Sequence, residues 1–164
     1  MPQKDTENNA KSDTKRLKRT MQEQRLTHRL TRYWENLRKE EEIPTFAKFN
    51  SGAVEDIWGQ CMLFMVNPGA GKRHYTFYRV GDQVRKMYQE DVVGKVLTPH
   101  HTSFKGANII KRIDEVVAEP KPVFDDGQFI NKNNKLVKYR SCLLPFGKSN
   151  EVSHVVVGLS WREF

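Results

Sequence analysis

The order in which helix-like and strand-like segments follow one another constrains the fold of this chain more than any other feature. Runs rich in aromatic and β-branched residues predict two strands near the middle of the chain and three at its end, at 60–66, 74–80, 123–130, 136–144 and 153–162. Helix-like segments precede and separate the two groups. Strands grouped in this way favour an antiparallel sheet with helices on one face, an α+β domain.

Two helices are predicted between the strand groups. The first begins at Asp82, a residue type that caps helices, and contains Val84, Met87 and Tyr88. The second covers 107–119, with the apolar residues Ile109, Ile110, Ile113, Val116 and Val117 on one face. Pro120 ends this second helix, because the residue before a proline disfavours helical geometry.

The N-terminal part of the chain predicts one further amphipathic helix. Helix formers dominate 14–43 without glycine or proline, and Pro44 ends the run. The apolar residues step along one helical stripe, with a tryptophan beside them: Leu26, Leu30, Tyr33, Trp34 and Leu37. The same frame meets Glu23 and Arg19 further back, so we expect a short packing or dimer seam and no long coiled coil.

Charge separates this arm from the remaining chain. The net charge is +8, and residues 1–32 supply +5 of it through nine basic and four acidic side chains. We therefore expect a disordered tail at 1–13, a basic helix at 14–43 and a domain at 44–164. The arm at 11–32 could contact nucleic acid or an anionic surface, which makes a basic interaction module the alternative function.

Neither the N-terminus nor the cysteines suggest export. Residues 1–19 are polar and lack the apolar segment of a secretory signal, and the longest apolar run, 61–66, is far shorter than a membrane span. Cys61 and Cys142 lie in apolar segments far apart in sequence, as small buried hydrophobic residues do. We expect a cytoplasmic protein without a membrane span.

Several local patterns resemble a known family. The segments 75–81, 82–88 and 90–95 look like the strand, helix and acidic-apolar-Gly-Lys turn of a PAS domain. Tyr33-Trp34, Pro44, Val80-Gly81 and the segment 143–146 are similar to the stand-alone PAS-domain proteins of alphaproteobacteria. Gln89 departs from that pattern, which often has glycine there. The resemblance covers about residues 26–164 and concerns the fold more than any ligand.

This resemblance implies a function in sensing. A stand-alone PAS protein would be a bacterial signalling regulator that acts by ligand-tuned protein–protein association, as a homodimer or with other protein partners, without catalytic output. The PAS fold would be a five-stranded antiparallel sheet with helices on one face, preceded by the N-terminal amphipathic helix. The residues that would surround a small-ligand pocket are Phe64, Phe77, Tyr78, Met87, Tyr88, Phe104, Ile113 and Tyr139.

Plain core packing is the alternative for this pocket set. If those residues form a core, the buried tyrosine hydroxyls still need hydrogen-bond partners, and Tyr78 and Tyr139 are the polar groups to test first. The sequence requires no cofactor, and which cofactor or ligand binds stays unknown. PAS haem sensors place a histidine near position 101, so His101 is a candidate haem ligand, although loop histidines are more often solvated.

The sequence gives little support for phosphate binding, metal binding or enzymatic catalysis. The segment 68–73 comes near a phosphate-binding loop, but Val66 replaces its first glycine and Arg73 its magnesium-binding Ser or Thr. No histidine or acid accompanies the serines and cysteines at a spacing that predicts a nucleophile or metal site. We interpret Asp125-Asp126 before Gly127 as a turn or bulge. A small cyclase-type enzyme lacks an acid–base constellation, so we predict that the protein is not an enzyme.

Overall fold

The computed structural model describes residues 26–69, 73–88, 90–101, 109–131 and 133–164. In these parts of the chain, five strands form one antiparallel sheet in the spatial order β2-β1-β5-β4-β3. The strands are β1 Cys61–Asn67, β2 His74–Val80, β3 Val123–Ile130, β4 Leu136–Lys148 and β5 Glu151–Glu163. The expected α+β class and five-stranded antiparallel sheet are confirmed.

Helices cover both faces of this sheet. Helix α1 is described over 26–38, and the others are α2 Glu55–Trp58, α3 Asp82–Tyr88 and α4 Ile109–Ala118. Lys39, with φ of 52°, follows α1, so the helix ends before the expected boundary at 43. The expected tail at 1–13 and the first half of the basic helix, including Arg19 and Glu23, lie outside the described residues.

The segment between Pro44 and β1 is helical. It forms single 3-10 turns at Phe46–Lys48 and Ser51–Val54 before α2. The Asn50 side chain caps the second turn, because its Oδ1 accepts a hydrogen bond from the Gly52 N–H at 2.9 Å. This local hydrogen bond favours a turn over an extended strand.

The last two strands are longer than the expected 136–144 and 153–162, and only two residues connect them. β4 continues through Lys148, which lies opposite Glu151 in β5. Ser149 and Asn150 form the turn with φ of 51° and 62°. Two residues with positive φ are characteristic of a type I′ hairpin, whose twist matches that of the strands.

Strand register defines two faces of the sheet. Phe64 lies opposite Val155, and Leu143 lies opposite Val157, on the face that we call the inner face. Helix α4 packs there, contacting β3, β4 and β5. Cys142 lies opposite Gly158 on the other face, the outer face, where α1 packs.

The stripe on α1 packs within its own chain. Leu26, Leu30 and Trp34 are buried, while Tyr33 and Leu37 are partly buried against the same core. The Trp34 Nε1–H donates to the Pro145 carbonyl oxygen at 2.7 Å. These five residues therefore pack against the core of their own chain, and a seam between two copies stays a prediction. An apolar outer face needs a cover, and α1 of the same chain supplies it.

Cys61 and Cys142 are unpaired and buried, as small hydrophobic residues, which the sequence led us to expect. Burial raises the pKa of the Cys61 thiol, and it raises that of Cys142 to about 12. Both thiols therefore stay protonated near neutral pH and are poor nucleophiles. No helix in the described ranges is long and apolar enough to cross a membrane.

Candidate ligand site

Polar contacts connect α4 to the strands at both edges of the sheet. The Tyr75 hydroxyl of β2 donates a hydrogen bond to the Asp114 carboxylate of α4. Two residues earlier on the helix, Arg112 Nη2 lies 3.2 Å from Asp125 Oδ1 of β3. Burial and the hydrogen bond to Asp114 raise the pKa of Tyr75. These two contacts fix α4 across the inner face.

Aromatic side chains fill the inner face between these contacts. The ring centroids of Phe64 and Phe77 are 4.8 Å apart, and those of Phe77 and Tyr88 are 5.5 Å apart. Ile113 of α4 is buried in the same core. Burial raises the pKa of the Tyr88 hydroxyl. Four of the predicted pocket residues therefore lie together, and in the structure they are part of the packed core.

A polar cluster borders this core under the N-terminal half of α4. We call Arg112, Asp125, Tyr139 and Ser141 the polar cluster. The Tyr139 hydroxyl donates to Asp125 Oδ2 at 3.3 Å, and the Ser141 hydroxyl donates to the Asp125 carbonyl oxygen at 3.5 Å. These four residues line a cavity of about 20 Å³, together with Ile109, Leu143, Val157 and Leu159. A cavity of this size holds about one water molecule.

A glycine makes room for the tyrosine of the polar cluster. Gly127 lies opposite Tyr139 in the β3–β4 register. A Cβ at Gly127 would lie 2.6 Å from the Tyr139 hydroxyl oxygen, closer than van der Waals contact permits. Any side chain at position 127 would therefore push the tyrosine hydroxyl away from its place beside Asp125.

The charges of the polar cluster favour some ligands over others. Burial, followed by the charge of Asp125 and the hydrogen bond to it, raises the pKa of Tyr139 to about 12. Arg112 Nη1 also contacts both carboxylate oxygens of Glu115, at 3.0 and 3.1 Å, and this hydrogen bonding raises the pKa of Arg112. Two carboxylates surround one guanidinium, so the site favours neutral or cationic hydrogen-bond donors over anions.

Of the remaining predicted pocket residues, one lies elsewhere, one borders the core and one lies outside the described residues. Tyr78 is 40% exposed on the outer face, where its ring meets Phe46 edge-on at 6.2 Å. Tyr78 thus lies apart from the other predicted pocket residues, because adjacent strand residues point to opposite faces and Phe77 points inward. Met87 is partly buried between the core and Tyr139. Phe104 lies outside the described residues.

His101, the candidate haem ligand, already has polar partners. Its Nδ1 lies 3.0 Å from both the N–H and the hydroxyl oxygen of Thr98, and its Nε2 lies 3.7 Å from Glu90 Oε1. The ring also packs edge-on against Phe77, at 5.6 Å between centroids. Within the described ranges, no group of three or more His, Cys, Asp or Glu side chains could hold a metal ion.

Reasoning from the sequence did not identify Arg112 and Asp125 as site residues. The pattern at Asp125 and Asp126 predicts a turn or bulge, but Asp125 lies in mid-strand, opposite Ser141. Strand alternation carried a usable signal: Val123, Asp125, Gly127 and Phe129 share one side of β3, so one acid had to face the helices. No pattern near Arg112 in the sequence indicated its role, because its partner Asp125 lies on a separate element, β3.

Comparison with protein families identifies the fold. A family model described as PAS domain matches residues 22–160. The chain belongs to the PAS domain family. PAS domains are sensory and signalling modules and are generally not catalytic. The expected PAS domain is thus confirmed, whereas the narrower similarity to alphaproteobacterial stand-alone proteins stays a prediction.

Solved structures resemble this PAS domain at low sequence identity. An RNA-binding light-oxygen-voltage receptor is 11% identical over 71% of this chain and 35% of its own, with a TM-score of 0.45. The Rhodobacter sphaeroides LOV protein is 11% identical over 71% and 69%, with a TM-score of 0.43. The PAS-B domain of Drosophila melanogaster Cycle is 15% identical over 63% and 99%, with a TM-score of 0.39. No curated protein matches the chain.

Proposed function

We propose that this PAS protein senses a small ligand at the polar cluster and responds by changing its association with partner proteins. The position of the polar cluster is the observation that carries the proposal. Arg112 belongs to α4, and Asp125 belongs to β3, the strand at the edge of the sheet. A molecule bound between them would contact both a helix and an edge strand, so binding could alter the surface that partners meet.

The size of the cavity determines how such a ligand would act. Space of about 20 Å³ admits about one water molecule, so a larger ligand enters only if α4 moves away from the sheet. The binding free energy of the ligand must offset the free energy lost when this movement breaks contacts, including the ion pair between Arg112 and Asp125. Ligand binding and movement of α4 are therefore coupled, which is what a sensor requires.

The charges of the site indicate the chemical class of the ligand. Asp125 and Glu115 would repel an anion, whereas a hydroxyl or ammonium group could donate to Asp125. We therefore propose a small polyol or amine. Association as the output agrees with the protonated, buried thiols of Cys61 and Cys142, which are unsuited to covalent catalysis.

The alternative, a basic arm that binds nucleic acid or an anionic surface, depends mostly on residues 11–25, which lie outside the described part of the chain. Of the arm's described cations, Arg29 forms an ion pair with Asp56 at 2.7 Å. That contact uses the charge within the domain and does not favour the alternative. A cytoplasmic location also stays a prediction from the sequence.

Two measurements test the proposed sensor. Native mass spectrometry of freshly purified protein reports a retained ligand, and thermal shift against small polyols and primary amines reports binding. We expect Tyr139→Phe to weaken the shift, because it removes the hydroxyl that lies 3.3 Å from Asp125. Tyr78→Phe is the matched control, since Tyr78 lies on the outer face.

Two outcomes would contradict the proposal. One is the absence of a retained ligand together with the absence of any thermal shift across the panel. The other is a shift that Tyr139→Phe and Tyr78→Phe reduce equally, because the ligand would then bind away from the polar cluster.

A further inference from the structure

The two edges of the sheet differ in how they are covered. Along β2, the segment 94–97 supplies backbone partners: the Phe77 N–H donates to the Lys95 carbonyl at 3.0 Å, and the Leu97 N–H donates to the Tyr75 carbonyl at 2.7 Å. β3 forms the opposite edge of the sheet, and in the described part of the chain no strand pairs with the edge of β3 that faces away from β4. An edge strand of this kind is a ready template for a further strand.

The side chains of β3 make its edge self-complementary. Phe124 and Ile130 are 56% and 54% exposed, and both lie on the outer-face side of the strand, at equal distances from Gly127. In an antiparallel pair with Gly127 opposite Gly127 of a second copy, each Phe124 therefore lies opposite Ile130 of that copy. This register keeps outer-face residues opposite outer-face residues, as a continuous sheet requires.

We propose that a second copy of this chain pairs antiparallel along the free edge of β3, with the two Gly127 residues opposite each other. The contact is isologous, since the pair of Phe124 with Ile130 of the other copy occurs twice, once on each side of the two-fold axis. The sheets of the two copies become one continuous sheet. This mode of dimerisation leaves the α1 stripe buried within each chain.

The charges along this register are compatible with the pairing. Asp126 lies opposite Gln128 of the second copy, whose amide N–H donates to a carboxylate. Within its own chain, Asp126 lies beside Arg140, and Gln128 lies beside Lys138. Across the joined sheet, the row therefore reads Arg140, Asp126, and then Gln128 and Lys138 of the second copy, with no like charges adjacent. The exposed carboxylate also disfavours pairing with unrelated apolar edges.

This inference deepens the proposed function by naming the associating partner as a second copy. Asp125 of the polar cluster lies between Phe124 and Asp126 on the same strand, and its side chain points to the inner face. A ligand that changes the contact between Arg112 and Asp125 would act on the strand that forms the dimer. The inference therefore rests on the proposed function for its regulation, while the pairing rests on β3 alone.

Size-exclusion chromatography with light scattering, over a series of protein concentrations, tests the pairing. We expect the full chain to dimerise, and Phe124→Glu or Ile130→Lys alone to raise the dimer dissociation constant at least about tenfold. The double variant Phe124→Glu with Ile130→Lys should restore the dimer, because opposite charges then face each other at both ends. Val93→Lys is the matched control, since Val93 is 40% exposed and precedes Gly94, which bonds to Phe77 of β2 at the opposite edge of the sheet.

Each alternative result overturns the inference. A monomeric wild-type chain at every concentration overturns dimerisation, and single variants that dimerise like Val93→Lys place the interface elsewhere. A double variant that stays monomeric overturns the register. Circular dichroism melts of all variants establish that they fold, which the exposure of Phe124 and Ile130 leads us to expect.

Ligand binding to the Phe124→Glu variant separates this inference from the proposed function. If its thermal shift with the polyol and amine panel equals that of wild type but wild type does not dimerise, only the pairing fails. If the dimer forms as expected but no ligand binds, only the sensing proposal fails.

Discussion

Leu30 of α1 packs directly onto Gly158 of β5. A Cβ at Gly158 would lie 2.8 Å from Leu30 Cδ2 and 3.1 Å from Cys142 Sγ. The glycine therefore permits the helix to approach the outer face of the sheet closely. Leu30 itself is almost completely buried there, so its side chain has little space into which to move.

Gly158→Ala should destabilise the protein by about 1–3 kcal/mol, because overpacking forces buried side chains from their preferred positions. Urea denaturation followed by circular dichroism measures this loss. Gly59→Ala is the matched control: the atoms nearest to a Cβ there belong to the Gln83 side chain, at 3.5 Å or more, which is ordinary contact. Equal losses in both variants would show that α1 does not depend on this close approach.

Tyr139→Phe should change how stability depends on pH in alkaline solution. Burial and Asp125 raise the pKa of Tyr139 from 10.0 to about 12, so the unfolded chain loses its proton first. The contribution of Tyr139 to stability is complete below about pH 10 and is lost as pH rises towards about 12, at up to about 1.4 kcal/mol per pH unit.

Urea denaturation between about pH 9 and pH 12 measures this dependence. The stability of Tyr139→Phe should fall less steeply with pH than that of wild type. The stability of Tyr78→Phe should follow that of wild type, because Tyr78 lies on the outer face, away from Asp125. A slope unchanged in Tyr139→Phe would mean that the hydroxyl ionises equally well in the folded and unfolded chain.

The bounds of a strand were predictable where the alternating residues ended near a glycine or a proline. The expected 74–80 and 123–130 match β2 and β3, since Gly81 and Pro120 bound the neighbouring segments. The segment after Pro44 was not predictable in this way, because it forms short turns, of which the second is capped by a hydrogen bond from the Gly52 N–H to the Asn50 side chain. The β4–β5 turn was missed because Gly147 resembles a break, although it lies within the strand opposite Val152.

The candidate site was less predictable than the fold. Phe64, Phe77 and Tyr88 could be grouped from the strand and helix pattern, because large apolar residues must be buried somewhere. The pairing of Arg112 with Asp125 depends on which strand lies beneath α4, and no local pattern contains that information. The stripe on α1 predicted a buried face correctly, but amphipathicity does not say whether a sheet or a second helix covers it.

Trp34→Phe should loosen α1 from the sheet. The indole N–H donates to the Pro145 carbonyl at 2.7 Å in a buried environment, and phenylalanine leaves that carbonyl without its donor. We expect a loss of about 1–3 kcal/mol, measured by urea denaturation, and faster proteolysis within α1. Trp58→Phe is the control, since half-buried Trp58 packs beside Phe49 at 5.6 Å. Equal effects of both substitutions would assign the loss to ring size alone.

His154 should make the outer face sensitive to acid. Its ring stacks on Phe46 at 3.6 Å between centroids and 9° between planes, and Tyr78 meets it edge-on at 6.1 Å. Burial lowers the pKa of His154 below 6.5, so the unfolded chain takes up a proton more readily than the folded chain does. The resulting stability is present above about pH 6.5 and is lost as pH falls towards the pKa of the folded chain.

The measurement compares unfolding free energies at about pH 8 and about pH 5 in wild type and in His154→Gln. Wild type should lose more stability on acidification than the variant, because glutamine cannot take up the proton. The Ser153 hydroxyl lies 2.8 Å from His154 Nδ1, so Ser153→Ala serves as a control that alters this contact and keeps the imidazole. If wild type and His154→Gln lose equal stability, the stack on Phe46 holds the protonated ring as well as the neutral one, through attraction between the imidazolium and the aromatic face.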